Sequence, residues 1–182
     1  MIRPFNNLYP SVAATAFVEA TAVIVGDVEV GEDSSIWFYS VVRGDIHYIR
    51  IGSRTNVQDH SVLHVRSGEG PVVIGDDVTV GHRAVIHGCT IGSRVLVGMG
   101  AVVLDDVVVH EGSIIGAGAV VPPGMVVPPR SLVTGTPGRI RRTVRDDECD
   151  WILRTADSYV GYARRYRAED AANRTGEGEV PR

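Results

Sequence analysis

As far as Val133, apolar residues recur at every sixth position, not at the second of a half-buried strand or the third to fourth of a helix. The series runs Val12, Val18, Ile24, Val30, Ile36, Val42; it resumes at Ile51, Val57, Leu63 and again at Ile74, Val80, Ile86. A step of five then leads to Ile91, followed by Val97, Val103, Val109, Ile115, Val121, Val127 and Val133. All twenty positions are valine, isoleucine or leucine, and glycine follows several of them, as in Val80-Gly81 and Ile91-Gly92. A period of six with branched residues inward and glycine at the bends predicts a parallel β-helix. Three short strands make a triangular coil of about 18 residues, and roughly six to seven coils stack at about 4.8 Å. A β-sandwich would need period-two alternation and gives no reason for a six-residue repeat.

The period stops after Gly135-Thr136-Pro137-Gly138. Beyond it Trp151, Ile152, Tyr159, Val160, Ala163 and Tyr166 recur near helical spacing behind Asp146, Asp147 and Glu148, which predicts one amphipathic helix. The expected organisation is a β-helix over 1–142, a helix packed on the prism over 143–167, and a polar, disordered tail over 168–182.

Two insertions interrupt the repeat, one around Asp45-Ile46-His47 and one around Arg66-Ser67-Gly68-Glu69-Gly70-Pro71. Insertions in a solenoid go outward at corners and often line a binding face. Counting each as lying inside one step places Arg43, His64 and His87 one above another on one face. The same count stacks Asp59 beneath His82 on a different face, with Gln58 beside Asp59. Imidazoles of His64 and His87 in adjacent coils are close enough to share a metal, whereas His82 would reach that metal only from a neighbouring subunit of a three-fold trimer. Three histidines with an open fourth position is the catalytic zinc arrangement. His47, His60 and His110 read as ordinary surface histidines.

Composition narrows the chemistry. The chain has 182 residues and a formal charge of −4, which gives no footing for nucleic acid or a membrane surface. All 18 basic residues are arginine, excluding a Schiff base, a Walker A lysine and a Ser-Lys dyad. Two cysteines, Cys89 and Cys149, show no pairing or metal-knuckle spacing, and no apolar signal region or bilayer-length run is visible. A cytoplasmic protein is expected.

Arg43-Gly44-Asp45, Asn56-Val57-Gln58-Asp59 with His64 five residues on, and His82-x4-His87, set on a hexapeptide core, resemble the γ-class carbonic anhydrases over nearly the whole chain. The resemblance implies a left-handed β-helix homotrimer with Zn²⁺ (or Fe²⁺ or Co²⁺) held by His64 and His87 of one subunit and His82 of the next. It implies hydroxide formed on the metal attacking CO₂ to give bicarbonate. Gln58 would hydrogen-bond the metal's solvent, Arg43 and Asp59 would form an ion pair across the interface, Asp45 would hold the same arginine region, and Tyr159 would approach the site from the helix.

Two glutamates that serve proton transfer in the family's prototype are replaced by Ile46 and Ser67, leaving Glu69 and His47 as the nearby groups able to move protons. Low hydration activity is the expected consequence. Three other readings compete: a metal-dependent thioesterase, a non-catalytic trimeric metal-binding scaffold, and an acyltransferase. The last needs one general-base histidine and no metal, so the stacked His64 and His87 argue against it.

Overall fold

The structure is a computed structural model that describes residues 1–68 and 70–175. Its short parallel strands wind into a left-handed β-helix of about seven turns, followed by a single helix. Of the twenty six-step positions, the eighteen from Ile24 onward are buried, none more than 3% exposed, and together they form one continuous apolar column. Val12 and Val18, in the first coil, are only partly buried and pack against its end. Each buried valine or isoleucine contributes roughly 1.5–3 kcal/mol of burial before chain entropy is subtracted.

One face stacks Val41, Val62, Val85, Val102 and Val120 in parallel register, with Arg43 opposite His64 and His64 opposite His87. A second stacks Ile51, Ile74, Ile91, Val109 and Val127. The third runs through Ile36, Val57, Val80, Val97, Ile115 and Val133. Backbone groups at the corners are bonded to the next coil, where buried hydroxyls assist: Ser40 donates to the Gln58 carbonyl at 2.7 Å and Ser61 to Gly81 at 2.9 Å. Among the described residues no buried side-chain polar atom lacks a partner.

The first insertion does not loop out. Val41–Ile51 is one eleven-residue strand that bends across the corner and fuses two faces into a twelve-stranded sheet. It pairs with Val23–Val30, whose Gly26 has φ +79°; a Cβ there would lie 2.2 Å from the Gly44 carbonyl oxygen, so only glycine lets the two strands turn together. The second insertion folds back on itself through an Arg66–Gly70 bridge; Glu69 lies outside the described residues.

An antiparallel strand, Arg139–Thr143, closes the last coil, and its three exposed arginines discourage further pairing at that edge. Helix α1 (Asp146–Thr175) then lies along the third face. It buries Ile152, Ala156, Val160 and Ala163, while Trp151 and Tyr166 stay half exposed. The helix continues past Arg167 through Ala168-Glu169-Asp170-Ala171-Ala172, part of the stretch expected to be a tail. Alanine and glutamate favour helix intrinsically, so the polar run extends an already nucleated helix without a face to bury. Residues 176–182 of that stretch lie outside the described residues. No helix among the described residues is long and apolar enough to cross a membrane.

Candidate metal centre

His64 and His87 end the strands Val62–His64 and Val85–His87, one coil apart in exact register. Strand spacing brings the rings together with centroids 5.2 Å apart. His64 Nδ1 faces His87 Nε2 at 3.2 Å. The other nitrogen of each ring meets a carboxylate: His64 Nε2 lies 3.2 Å from Asp45 Oδ1, and His87 Nδ1 lies 2.6 Å from Asp105 Oδ1. A neutral imidazole has one N–H. Donated outward to these carboxylates, those protons leave two lone pairs facing each other, an arrangement a cation stabilises. Two nitrogens on one tetrahedral zinc, each at about 2.05 Å, sit roughly 3.3 Å apart. The donor set therefore fits a divalent metal.

His82 lies at a different corner, its Nδ1 2.7 Å from Asp59 Oδ2, which leaves Nε2 available. Each of the three histidines thus carries its own carboxylate, the usual way a ligating imidazole is held in one tautomer. Among the described residues of one chain, no group of three or more His, Cys, Asp or Glu converges on a metal position.

Arg43 donates to Asp45 Oδ2 at 2.5 Å. Burial pushes the Asp45 carboxyl up, but hydrogen bonds from Arg43 and His64 and the charge of Arg43 outweigh it and hold the group below its usual range. Burial and the Arg43 charge likewise lower the His64 pKa against the pull of Asp45, favouring the neutral ring a metal requires. Within a chain Arg43 and Asp59 do not meet: Arg43 is committed to Asp45, and Asp59 to His82.

Gln58 is buried, and its Nε2 donates to Asn56 Oδ1 at 3.0 Å, while Asn56 Nδ2 donates to Thr79 Oγ1 at 2.9 Å. That chain fixes the Gln58 amide and leaves its Oε1 to accept. Gln58 and His82 share a groove of about 350 Å³ walled by Val97, Met99, Ile114 and Trp151. Tyr159 sits in an aromatic cluster, edge-on to Trp37 at 5.5 Å, and lines a cavity with Asp59. Burial, then the Asp59 charge, pushes its hydroxyl up to about 12. Ile46 and His47 line an exposed cavity beside Asp45; His47 Nδ1 accepts the Tyr48 backbone N–H. His60 stacks on Tyr39.

Asp105 was not anticipated. The signal was present, because Val103 lies one coil beyond Ile86, so a residue two positions after Val103 falls beside the end of the His87 strand.

The family described as "Bacterial transferase hexapeptide (six repeats)" matches residues 71–103 and 88–123. Protein YrdA of Escherichia coli (strain K12) is 40% identical over 181 residues, 96% of this chain and 97% of that one. The "Carbonic anhydrase" of Geobacillus kaustophilus is 44% identical over 168 residues, 92% of each chain. A solved structure titled as a hexapeptide transferase family protein from Anaplasma phagocytophilum superposes with a TM-score of 0.87 at 38% identity, covering 91% of this chain and 97% of that one.

Proposed function

Because the chain belongs to the γ-class carbonic anhydrase-like family, we propose that it is a metal-dependent enzyme hydrating CO₂ to bicarbonate, working as a homotrimer in the cytoplasm. The observation that carries this reading is the His64–His87 pair, with facing nitrogens 3.2 Å apart and the outward nitrogens on Asp45 and Asp105. His82 of a neighbouring subunit would complete the set, since it occupies another corner with Nε2 free. A Zn²⁺ ion there, or Fe²⁺ or Co²⁺, supplies a Lewis acid that lowers the pKa of water into the neutral range.

The chain's own residues do the rest. Asp45, Asp59 and Asp105 orient the three imidazoles and select the ring nitrogen that carries the proton. Gln58, its Nε2 tied to Asn56, offers Oε1 to accept a hydrogen bond from solvent at the reacting position and so orients it. Arg43, half exposed beside Asp45, is free on its outer side to meet Asp59 of the next subunit and lock the two histidine corners together. Tyr159, packed against Trp37 and next to Asp59, braces that corner from the helix.

A second reading, hydrolysis of an ester or thioester at the same centre, is favoured by the groove beside His82 and Gln58. Its roughly 350 Å³ of mostly apolar space exceeds what CO₂ requires and suits an acyl group. Metal analysis of anaerobically purified protein, coupled to stopped-flow CO₂ hydration on the same sample, tests the first reading. Near-stoichiometric metal with measurable hydration supports it. A fully loaded protein with no hydration, but with thioester cleavage, would transfer the site to the second.

A further inference from the structure

The geometry assigns to Asp105 the role of a positioning residue: its carboxylate accepts the His87 Nδ1 proton and thereby aims the Nε2 lone pair of His87 at His64. The consequence for metal rests on the function proposed above, whereas the hydrogen bond itself does not.

Two independent features point the same way. The first is the contact, 2.6 Å from His87 Nδ1 to Asp105 Oδ1, the shortest of the three histidine–carboxylate contacts, with both side chains about 30% exposed. Among the described residues the Asp105 side chain makes no other hydrogen bond. The second lies in the backbone beside it. Gly88 has φ +51°, and a Cβ at that position would fall 2.3 Å from Asp105 Oδ1. At comparable corners this chain places arginine or aspartate in the left-handed region, as at Arg83 and Asp106, so positive φ alone does not call for glycine at 88. The space taken by the Asp105 carboxylate does.

The tautomer follows from the contact. A free neutral imidazole has two nitrogens on which to carry its proton, and a carboxylate at Nδ1 selects the form protonated there. Without it, His87 turns a proton toward His64, and the facing nitrogens no longer offer two lone pairs to a cation. Asp105 thus does for His87 what Asp45 does for His64 and Asp59 for His82, and it comes from the neighbouring coil, so stacking register is coupled to ligand orientation.

The test uses the full chain with Asp105→Ala and Asp105→Asn, read two ways. Long-range ¹H–¹⁵N spectra of the metal-free proteins report the His87 tautomer, and cobalt(II) titrations followed by visible absorption report affinity. In the unmodified protein His87 should be protonated at Nδ1. Asp105→Ala should shift it toward the Nε2 form and weaken cobalt binding by 10- to 100-fold. Asp105→Asn, whose amide oxygen can still accept, should keep the tautomer and most of the affinity. A His87 tautomer indifferent to Asp105→Ala would overturn the assignment, as would equal loss of affinity in both variants. Failure of the unmodified protein to bind cobalt, with the tautomer still following residue 105, would sink the metal reading and leave the positioning contact standing.

Discussion

Replacing Gly88 by alanine perturbs one contact whose cost the structure allows to be worked out. At φ +51° a Cβ carries a left-handed backbone penalty of about 1 kcal/mol. It would also lie 2.3 Å from Asp105 Oδ1 and 3.3 Å from its Cγ. Carbon–oxygen contact becomes comfortable at roughly 3.3 Å, so the carboxylate must retreat by about 1 Å. That retreat breaks or badly bends the 2.6 Å bond to His87, a charge-assisted bond worth about 1–1.5 kcal/mol at this partial exposure. The sum, about 2–2.5 kcal/mol, corresponds to a Tm fall of roughly 4–10 °C for a chain of this size. Gly118 is the matched control, with φ +67° and nothing within 4 Å of its added Cβ. Gly118→Ala should lose only the backbone term, roughly 2–4 °C, and leave cobalt(II) affinity unchanged, while Gly88→Ala should weaken affinity at least tenfold. Scanning calorimetry and cobalt titration on both variants decide it. Equal Tm losses and equal affinities would refute the argument, because they would show that the carboxylate yields without consequence.

Hydration should be slow and strongly dependent on external buffer, because Ile46 and Ser67 supply no proton acceptor; rising imidazole should raise the maximal stopped-flow rate, and Ile46→Glu should reduce that dependence. Fast turnover at low buffer would show that a group such as His47 already exports protons. Glu148, hydrogen-bonded by Arg142 and by the Arg145 backbone N–H, has its pKa lowered from 4.5 to about 2. A depressed carboxylate pKa contributes stability above pH 4.5 that is lost as pH falls through 2. Glu148→Gln should therefore cost about 1 kcal/mol at pH 7, allowing for solvent screening, and the Tm gap should close towards pH 2; a gap independent of pH would contradict this.

The β-helix was legible because its core is a single repeated decision: eighteen of the twenty six-step positions are buried wherever a coil lies above and below. The same repeat located His64 opposite His87 and Asp59 beneath His82, since register in a solenoid is set by counting. What counting cannot supply is the path of an insertion. Three extra residues near Asp45 were absorbed by a bent strand because Gly26 and Gly44 allow two backbones to turn the corner together. The partner of His87 was overlooked for a related reason: Asp105 sits two residues past an inward position, where most side chains face solvent, and only its rotamer brings it to the ring. Helix α1 outran its expected end because an apolar stripe marks where a helix is packed and not where it stops. The pairing of Arg43 with Asp59 depends on a second subunit, which no intrachain register specifies.

Whether the three histidines meet across a subunit boundary is tested most directly by mixing. Chains carrying His82→Ala retain His64 and His87, and chains carrying His64→Ala retain His82. Neither homotrimer should bind metal at the centre. In every mixed trimer the cyclic arrangement juxtaposes one intact His64–His87 pair with one intact His82, so hetero-trimers confirmed by native mass spectrometry should carry one cobalt(II) ion each. Mixed trimers that bind none, or a His82→Ala homotrimer that keeps its full complement of metal, would contradict a shared centre.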